Sequence, residues 1–390
     1  MNERSAIIIA ARRTAIGTVG GLHARRPIEA LAAPVLQAVL TDGRIEPAQV
    51  DEVILGNAVG GGGNPARLIA LAAGLPETTP AMTIDRQCAS GLDAIVAGAR
   101  MIESGAADAV IAGGAESPST APWRIAKPAN LHKGLPHFFS QPAFAPGPEG
   151  DVGMIEAAEN VARDYHITRE RQDAFTLGSH RKAVAAADAG QLSAEIVRLS
   201  HDPRESRDEG PRASLTPKLL SRVTPLVATD GTVTSGNSCQ VNDGAAAVLL
   251  VSDALHRKLG SPPGLVFAGA ASAGIAPRLL GLAAVNATRK LAEMAGFRPQ
   301  DIDAVELNEA FAAQVLATID QLSLDPHKLN ALGGALAYGH PYGASGALLV
   351  GRLFSRMILE NAAQSPRTGL VMIAAAGGVG VAAQFRSTER

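Results

Sequence analysis

The sequence predicts an α/β fold built from two similar halves. Short apolar segments, such as residues 109–114 and 370–378, alternate with alanine-rich helical segments, a pattern typical of buried parallel or mixed strands covered by helices. The chain is 46% hydrophobic but only 3% aromatic, so its core consists mainly of small aliphatic side chains, which favours layered α/β structure. A length of 390 residues predicts more than one domain.

An internal repeat at a spacing of roughly 250 residues indicates the two halves. Residues 43–53 resemble residues 296–305, and both segments read as a helix end, a turn and a strand. Further along, Cys-Ala-Ser-Gly at residues 88–91 resembles Gly-Ala-Ser-Gly at residues 343–346, and each opens an alanine-rich helix. Two such halves are expected to pack face to face.

The segment between the copies has no counterpart in the second half and is richer in proline, histidine and charge. We therefore predict an N-terminal half at residues 1–116 and 242–263, an inserted loop domain at 117–241 and a C-terminal half at 264–390. Within the insertion, residues 118–148 are expected to be irregular and residues 151–189 to form two helices. Such an insertion is expected to reach over a functional face.

Composition argues against several classes of function. The formal charge of −2 and the lack of a long basic block disfavour nucleic acid as a partner. The apolar run at residues 6–11 is too short for a signal sequence or a membrane span, so we expect a soluble cytoplasmic protein without a membrane partner. Neither cysteine has metal-ligand spacing, and the glycine-rich segments 60–64 and 377–380 fit no nucleotide fingerprint. No metal and no permanently bound cofactor are expected.

Cys88 is the candidate nucleophile. It lies where the segment after residues 82–84 turns through small residues into a helix, and the free N–H groups at a helix N-terminus favour a reactive thiolate. Two other roles stay open: a buried small hydrophobic residue, or a disulfide with Cys239. Because cytoplasmic thiols are normally reduced, the turn position favours a chemical role.

His340 and Asn308 are the candidate partners of this thiol. His340 lies in a glycine-flanked loop just before a helix, opposite Asp85 in the repeat, so packing of the halves is expected to bring it to Cys88. Asn308 follows the apolar strand at residues 304–307, where sites gather in α/β folds, and its amide can hold a water that stabilises negative charge. The alternatives are a polar residue satisfied elsewhere for His340 and a helix cap for Asn308.

These residues resemble the thiolase family, the acetyl-CoA acetyltransferases and 3-ketoacyl-CoA thiolases, over nearly the whole chain. The matching segments, in order, are Asn64-Pro65-Ala66-Arg67, Arg86-Gln87-Cys88-Ala89-Ser90-Gly91-Leu92, Ala158-Glu159-Asn160-Val161, Gly231-Thr232-Val233-Thr234-Ser235-Gly236-Asn237, Asn242-Asp243-Gly244-Ala245-Ala246, Asn308-Glu309-Ala310-Phe311 and Gly339-His340-Pro341. The resemblance implies a five-layered αβαβα fold, a loop domain that binds coenzyme A, and assembly as a homodimer or homotetramer.

The resemblance also implies roles for single residues. Cys88 is the acylated nucleophile, His340 activates it, Asn308 holds an oxyanion-hole water, and the backbone N–H groups of Cys88 and Ala376 form a second oxyanion hole. The residues implied to contact coenzyme A or the acyl group of an acyl-CoA substrate are Met154, Arg212, Ser235, Cys239 (where the family usually has a serine) and Phe311. The implied reaction is a reversible Claisen exchange in fatty acid metabolism.

The sequence departs from the family at the second catalytic cysteine. That position is Ala374, in Ala374-Ala375-Ala376-Gly377-Gly378-Val379-Gly380, and a methyl group cannot carry a proton. Loss of a positioned acid–base group typically costs about 10²–10⁴ in rate. Three explanations stay open: an engineered inactivating substitution, a natural relative with different chemistry, or rescue by another group, for which Cys239 is the only other thiol.

Further departures are expected to reshape the acyl pocket: Gly153 replaces an occasional histidine, Gly281-Leu282-Ala283-Ala284 replaces Gly-x-Gly-Pro, and Tyr342 follows His-Pro where an aliphatic residue is common. The leading hypothesis is an acyl-CoA C-acyltransferase with attenuated carbon–carbon chemistry. The alternatives are acyl transfer to a non-carbon acceptor, thioester hydrolysis, or a non-catalytic coenzyme A-binding homologue. A ketoacyl synthase is disfavoured because Asn308 stands where a histidine is expected.

Overall fold

The structure, a computed structural model, describes residues 4–130, 132, 134–139, 141–147, 151–359 and 367–388. The strands are β1 (Ala6–Thr14), β2 (Gly17–Thr18), β3 (Glu52–Gly56), β4 (Ala81–Ile84), β5 (Ala109–Glu116), β6 (Arg124–Ala126), β7 (His137–Phe139), β8 (Ile196–Val197), β9 (Asn242–Ser252), β10 (Leu265–Gly274), β11 (Ala304–Leu307), β12 (Thr368–Ala375) and β13 (Val379–Ser387). The α-helices are α1 (Ile28–Gly43), α2 (Pro65–Ala72), α3 (Ser90–Glu103), α4 (Met154–Asp164), α5 (Arg169–Asp188), α6 (Pro217–Leu220), α7 (Asp253–Lys258), α8 (Ala283–Ala295), α9 (Ala312–Leu322), α10 (Ala335–Tyr338) and α11 (Tyr342–Phe354).

The strands form two half-sheets with the same topology. In the first, β4, β3 and β5 are parallel neighbours and β9 runs antiparallel between β5 and β1. In the second, β11 and β12 are parallel and β13 runs antiparallel between β12 and β10. The order β3-β5-β9-β1 is thus repeated as β11-β12-β13-β10. The half-sheets join where β1 pairs with β10, so the duplication read from the sequence is present in the fold.

Helices cover each half-sheet on both faces. The outer cluster of the first half packs α1 and α2 on its sheet, and the outer cluster of the second half packs α8 and α9 on its sheet. The central cluster contains the apolar faces of α3 and α11 together with inward-facing residues of both half-sheets. The resulting order of layers is helix, sheet, helix, sheet, helix, and the predicted five-layered αβαβα fold is confirmed.

The central helices α3 and α11 touch backbone to backbone at their N-termini. A Cβ atom on Gly91 would lie 2.6 Å from the carbonyl oxygen of Gly343, and one on Gly346 would lie 2.3 Å from the backbone nitrogen of Leu92. Only glycine permits such an approach. Because these glycines belong to the repeated Ala-Ser-Gly segments, the two copies of the turn meet at the centre of the molecule, as the repeat predicts.

The segment between β5 and β9 contains the helical pair α4 and α5, which confirms the two helices expected over residues 151–189. The stretch 118–148 was expected to be irregular, but it contains the β6–β7 hairpin, in which Arg124 pairs with Phe139. Trp123 and Phe138 pack edge to face across this hairpin, with ring centroids 5.7 Å apart, and this contact stabilises it. Residues 131, 133, 140 and 148 of this stretch lie outside the described residues.

Candidate active site

A cavity of about 630 Å³ opens where the two halves and the insertion meet. The residues in its wall include nine of those singled out in the sequence: Cys88, Met154, Arg212, Ser235, Cys239, Asn308, Phe311, His340 and Ala374. The tenth, Ala376, does not line the cavity, but its backbone N–H lies within hydrogen-bonding reach of the Cys88 sulfur. Segments far apart in the chain therefore meet at the cavity that contains the Cys88 thiol.

Cys88 sits in a tight turn between β4 and α3. The hydroxyl of Ser90 accepts a hydrogen bond from the Arg86 backbone N–H (2.8 Å) and donates one to the Gln87 carbonyl oxygen (2.6 Å). Gln87 has a φ of 50°, a left-handed conformation that is uncommon for a residue with a side chain. These bonds fix the turn and hold the thiol at the cavity wall.

Burial, and not the helix N-terminus, dominates the ionisation of Cys88. The side chain is 6% exposed, and the loss of solvent raises its pKa to about 12, although the N–H groups of Ala376 and Cys88 act in the opposite direction. The sequence favoured a thiolate here because it shows the helix end but not the burial. Cys88 rests as a neutral thiol, and both cysteines are free.

His340 is held by its own loop and by the start of β9. Its backbone N–H donates to the carbonyl oxygen of Gln240 (3.1 Å) and to Oδ1 of Asn242 (3.0 Å), and its Nδ1 lies 2.6 Å from the Ser345 hydroxyl. Nε2 has no hydrogen-bond partner in the described part of the chain. Burial lowers the pKa of His340 to about 4, so the imidazole is neutral at physiological pH and can accept a proton.

A short segment at the end of the insertion, residues 237–240, ties together the loops that carry Asn308 and His340. Its Cys239 N–H donates to the carbonyl oxygen of Ala310 (2.9 Å), and its Asn237 carbonyl accepts from the Ala312 N–H (3.0 Å). These bonds bring the Cys239 thiol to the Asn308 side of the cavity. Asn308 is 3% exposed, and its Nδ2 has no hydrogen-bond partner among the described residues, so this amide is free to donate to a bound group.

Ala374 lies near the end of β12 and Ala376 follows directly after it, with its N–H next to the Cys88 sulfur. Ala374 pairs with Gly380 of β13 and forms part of the cavity wall. Its methyl group is the side chain at the position where the sequence predicts the second thiol to be missing. Because the N–H of Ala376 does not depend on a side chain, that donor is retained.

Arg212, Ser235 and Met154 lie in the part of the wall contributed by the insertion. The Arg212 backbone N–H donates to Nδ1 of His180 (3.1 Å), and Arg212 and Ser235 also line an adjoining cavity of about 350 Å³. Met154 begins α4. A cationic side chain where two cavities adjoin suits the phosphates of a long ligand.

Sequence reasoning missed three residues of this region. Gln314, on α9, lines the cavity with both amide atoms unpaired among the described residues. Ser345 fixes the His340 ring, and Glu116 accepts hydrogen bonds from Ala58, Val59 and Gly343. Only Gln314 could have been found from the sequence, because it lies six residues after the candidate residue Asn308. The other two act through contacts that a sequence does not display.

Comparison with known proteins agrees with the geometry. The family described as thiolase, N-terminal domain, matches residues 6–254, and the family described as thiolase, C-terminal domain, matches residues 263–387. The chain belongs to the thiolase family. The resemblance read from the motifs is thereby confirmed. The N-terminal family matches the first part of the chain and the C-terminal family the second, in the same order as the two halves.

Thiolase relatives cover almost the whole chain. The "Putative acetyl-CoA C-acetyltransferase VraB" of Staphylococcus epidermidis is 45% identical over 350 residues, which is 89% of this chain and 91% of that protein. An acetyl-CoA acetyltransferase of Pseudomonas aeruginosa is 40% identical over 390 residues, covering 96% and 98% of the two chains. The crystal structure of the Bacillus anthracis acetyl-CoA acetyltransferase superposes with a TM-score of 0.90 at 35% identity, covering 99% of both chains.

The described residues contain neither a metal site nor a membrane-spanning helix. No group of histidine, cysteine, aspartate or glutamate side chains has the arrangement of a metal site. Within those residues there is also no helix with the length and apolarity to cross a membrane.

Proposed function

We propose that this thiolase is an acyl-CoA C-acyltransferase that forms an acyl-cysteine intermediate on Cys88, with Claisen condensation and thiolysis attenuated by Ala374. The observation that carries the proposal is that a buried thiol, within reach of the Ala376 N–H, lines the same cavity as His340, whose Nε2 has no partner among the described residues. The acetyl-CoA acetyltransferase names of the relatives support the same class of reaction.

In the first half-reaction, the Cys88 thiol gives its proton to Nε2 of His340 as its sulfur attacks the thioester carbonyl carbon. The N–H groups of Cys88 and Ala376 donate to the oxyanion that forms, a contribution of about 3–4 kcal/mol per donor in well-studied enzymes. The carbon–sulfur bond to coenzyme A then breaks, and the leaving thiolate takes the proton from His340. The products are acyl-Cys88 and free coenzyme A.

The resting ionisation states of Cys88 and His340 suit this proton transfer. With His340 near a pKa of about 4 and Cys88 near about 12, both groups are neutral at pH 7, and charge appears only as the transition state forms. We assign the proton of the neutral ring to Nδ1, which lies 2.6 Å from the Ser345 hydroxyl, so that Nε2 is the basic nitrogen. The buried geometry thus serves a concerted proton transfer better than a preformed thiolate.

The second half-reaction requires proton transfer at the α-carbon of a second acyl-CoA, and Ala374 supplies no group for it. Asn308 remains available to hold a water against the developing enolate oxygen. Cys239 is the only other thiol, but burial raises its pKa to about 12 as well, so it is protonated at pH 7 and offers no thiolate to accept the α-proton. Acyl-Cys88 is therefore expected to form faster than carbon–carbon bonds are made or broken.

Intact-mass analysis tests the first half-reaction. The protein is incubated with acetyl-CoA, quenched in acid and weighed, and an acetyl adduct is expected on the unmodified sequence and on Cys239→Ala, the matched control. No adduct is expected on Cys88→Ala. The proposal is refuted if the unmodified protein gains no adduct, or if the adduct persists in Cys88→Ala.

A second assay follows the loss of 3-ketoacyl-CoA with free coenzyme A and identifies the products. Slow thiolysis is expected. Free carboxylic acid, or acyl transfer to another nucleophile, would instead identify hydrolysis or a non-carbon acceptor as the activity. Binding of coenzyme A without any covalent adduct would favour the non-catalytic homologue.

We further infer that the protein acts in the cytoplasm, in fatty acid metabolism, as a homodimer or homotetramer. The insertion at 117–241 is proposed as the coenzyme A-binding domain between the halves 1–116 with 242–263 and 264–390. The adjoining cavities at Arg212 support this assignment. Acyl-CoA is the substrate, with no permanently bound cofactor.

A further inference from the structure

A second cavity lies behind the Cys88 end of the site. It measures about 770 Å³ and is lined by apolar side chains of the β6–β7 region, including Trp123, Phe138 and Phe139. Two residues, Tyr342 and Val241, line both this aromatic cavity and the cavity that contains Cys88. Both residues therefore lie where the two spaces adjoin, and we call this pair the partition.

Tyr342 is held firmly in this partition. Its ring packs edge to face on the His340 ring, with centroids 5.3 Å apart and an interplanar angle of 73°. Next along the chain, the Gly343 N–H donates to the buried carboxylate of Glu116 (2.9 Å), and the Ala344 N–H donates to the Pro341 carbonyl (2.7 Å). The Tyr342 backbone adopts a φ of 22°, which is sterically unfavourable for a tyrosine, so its neighbours determine its position.

We infer that Tyr342 is a specificity-determining residue, which closes the acyl pocket against the aromatic cavity and restricts the enzyme to short acyl groups. This inference rests on the proposed acylation of Cys88. Tyr342 contacts His340, and the Cys88 and Cys239 thiols lie near enough to influence its hydroxyl. It therefore stands at the end of the cavity where the acyl group attaches, whereas Arg212 marks the part expected to hold coenzyme A.

Size explains the restriction. The cavity around Cys88 must hold the pantetheine arm as well as the acyl group. A longer acyl chain that extends towards Tyr342 contacts its ring, and this ring cannot rotate away without losing its contact with His340. Beyond the ring lies apolar surface that is poorly covered, since Trp123 is 83% exposed and Phe138 is 66% exposed. Removing the ring joins the two cavities and gives a longer chain apolar surface to bind.

The test compares rates of Cys88 acylation by acetyl-, butyryl-, hexanoyl- and octanoyl-CoA, measured by quenched intact mass. In the unmodified protein the rate is expected to fall about tenfold or more between butyryl and octanoyl. In Tyr342→Ala the ratio of the octanoyl rate to the acetyl rate is expected to rise about tenfold or more. Tyr342→Phe, which keeps the ring and loses the hydroxyl, should retain the unmodified ratio.

Two further variants keep the test decisive. Tyr342→Leu places a flexible aliphatic side chain at the partition and should shift the ratio in the same direction if Tyr342→Ala does not fold. Adding Phe138→Ala to Tyr342→Ala should reduce the gain for octanoyl-CoA, because the chain then loses a contact in the aromatic cavity.

The inference is overturned if the unmodified protein accepts octanoyl-CoA as fast as acetyl-CoA, or if removing the Tyr342 ring leaves the ratio unchanged. The acetyl adduct, measured in the same series, separates this result from a failure of the proposed function. An adduct without a change in chain-length preference refutes only the role of Tyr342. Absence of any adduct on Cys88 refutes the acyltransferase itself.

Discussion

The hydrogen bond between His340 and Ser345 gives a sharp prediction about the chemistry. Nδ1 of His340 lies 2.6 Å from the Ser345 hydroxyl in a buried setting, and the proposed mechanism assigns the ring proton to Nδ1, which leaves Nε2 as the basic nitrogen. Ser345→Ala removes the partner and adds no bulk. We expect slower acylation of Cys88 with little change in the binding of acetyl-CoA.

The magnitude follows from the charge on the ring. A hydrogen bond between neutral groups contributes about 0.5–1.5 kcal/mol, and one to a charged group about 1.5–3 kcal/mol. As His340 takes the proton of Cys88 it becomes an imidazolium, so the Ser345 bond strengthens by about 1–1.5 kcal/mol in the transition state. The acylation rate should therefore fall about 5- to 12-fold, since about 1.4 kcal/mol corresponds to a factor of ten.

Ser355→Ala is the matched control. Ser355 is as buried as Ser345, at 3% exposed, and its hydroxyl donates to Glu195 (2.7 Å) away from the cavity. Both variants lose one buried hydrogen bond, so both should be somewhat less stable in denaturant titrations. Only Ser345→Ala should slow single-turnover acylation. Equal rates in the two variants would refute the assignment of His340 as the base that Ser345 orients.

Three other predictions follow from the site. Ala374→Cys should raise the rate of 3-ketoacyl-CoA thiolysis by about 10²–10⁴ and leave the Cys88 acylation rate nearly unchanged; an unchanged thiolysis rate would show that the missing thiol is not limiting. The pKa of His340 is about 4 and that of Cys88 is about 12, so the acylation rate should be flat between about pH 6 and about pH 9. The rate should fall as the pH approaches 4, because His340 then becomes protonated. A midpoint near neutrality in a stopped-flow pH profile would contradict this prediction. Arg212→Ala should raise KM for acetyl-CoA about tenfold or more. It should leave KM for acetyl-pantetheine unchanged, because that substrate lacks the phosphates. Equal increases in KM for both substrates would refute a phosphate contact.

Much of the fold could be predicted because the evidence for it is local and repeated. The same apolar strand and alanine-rich helix occur twice, and each copy needs the other to cover its inner face. The repeated glycines then predict close packing, which Gly91 and Gly346 provide. The β6–β7 hairpin was not predicted, since proline-rich sequence hides strands that are only three residues long.

The composition of the site was predictable to a similar extent, but its electrostatics were not. Motif order was enough to select side chains that share one cavity. The ionisation of Cys88 was predicted in the wrong direction because a helix N-terminus is visible in sequence, whereas burial depends on the whole fold. Glu116 and Ser345 were missed for the same reason: each acts through a contact that only the folded chain creates.

The distribution of functions between backbone and side chains explains why losing one thiol need not abolish the first half-reaction. In the proposed mechanism, stabilisation of the acylation oxyanion depends on the N–H groups of Cys88 and Ala376, and His340 is the base, so none of these functions requires a side chain at position 374. Proton transfer at the α-carbon, by contrast, is proposed to depend on a side chain that Ala374 lacks. The residue at this one position is therefore expected to separate the two half-reactions, and acyl-Cys88 is the species to look for when the protein is mixed with an acyl-CoA.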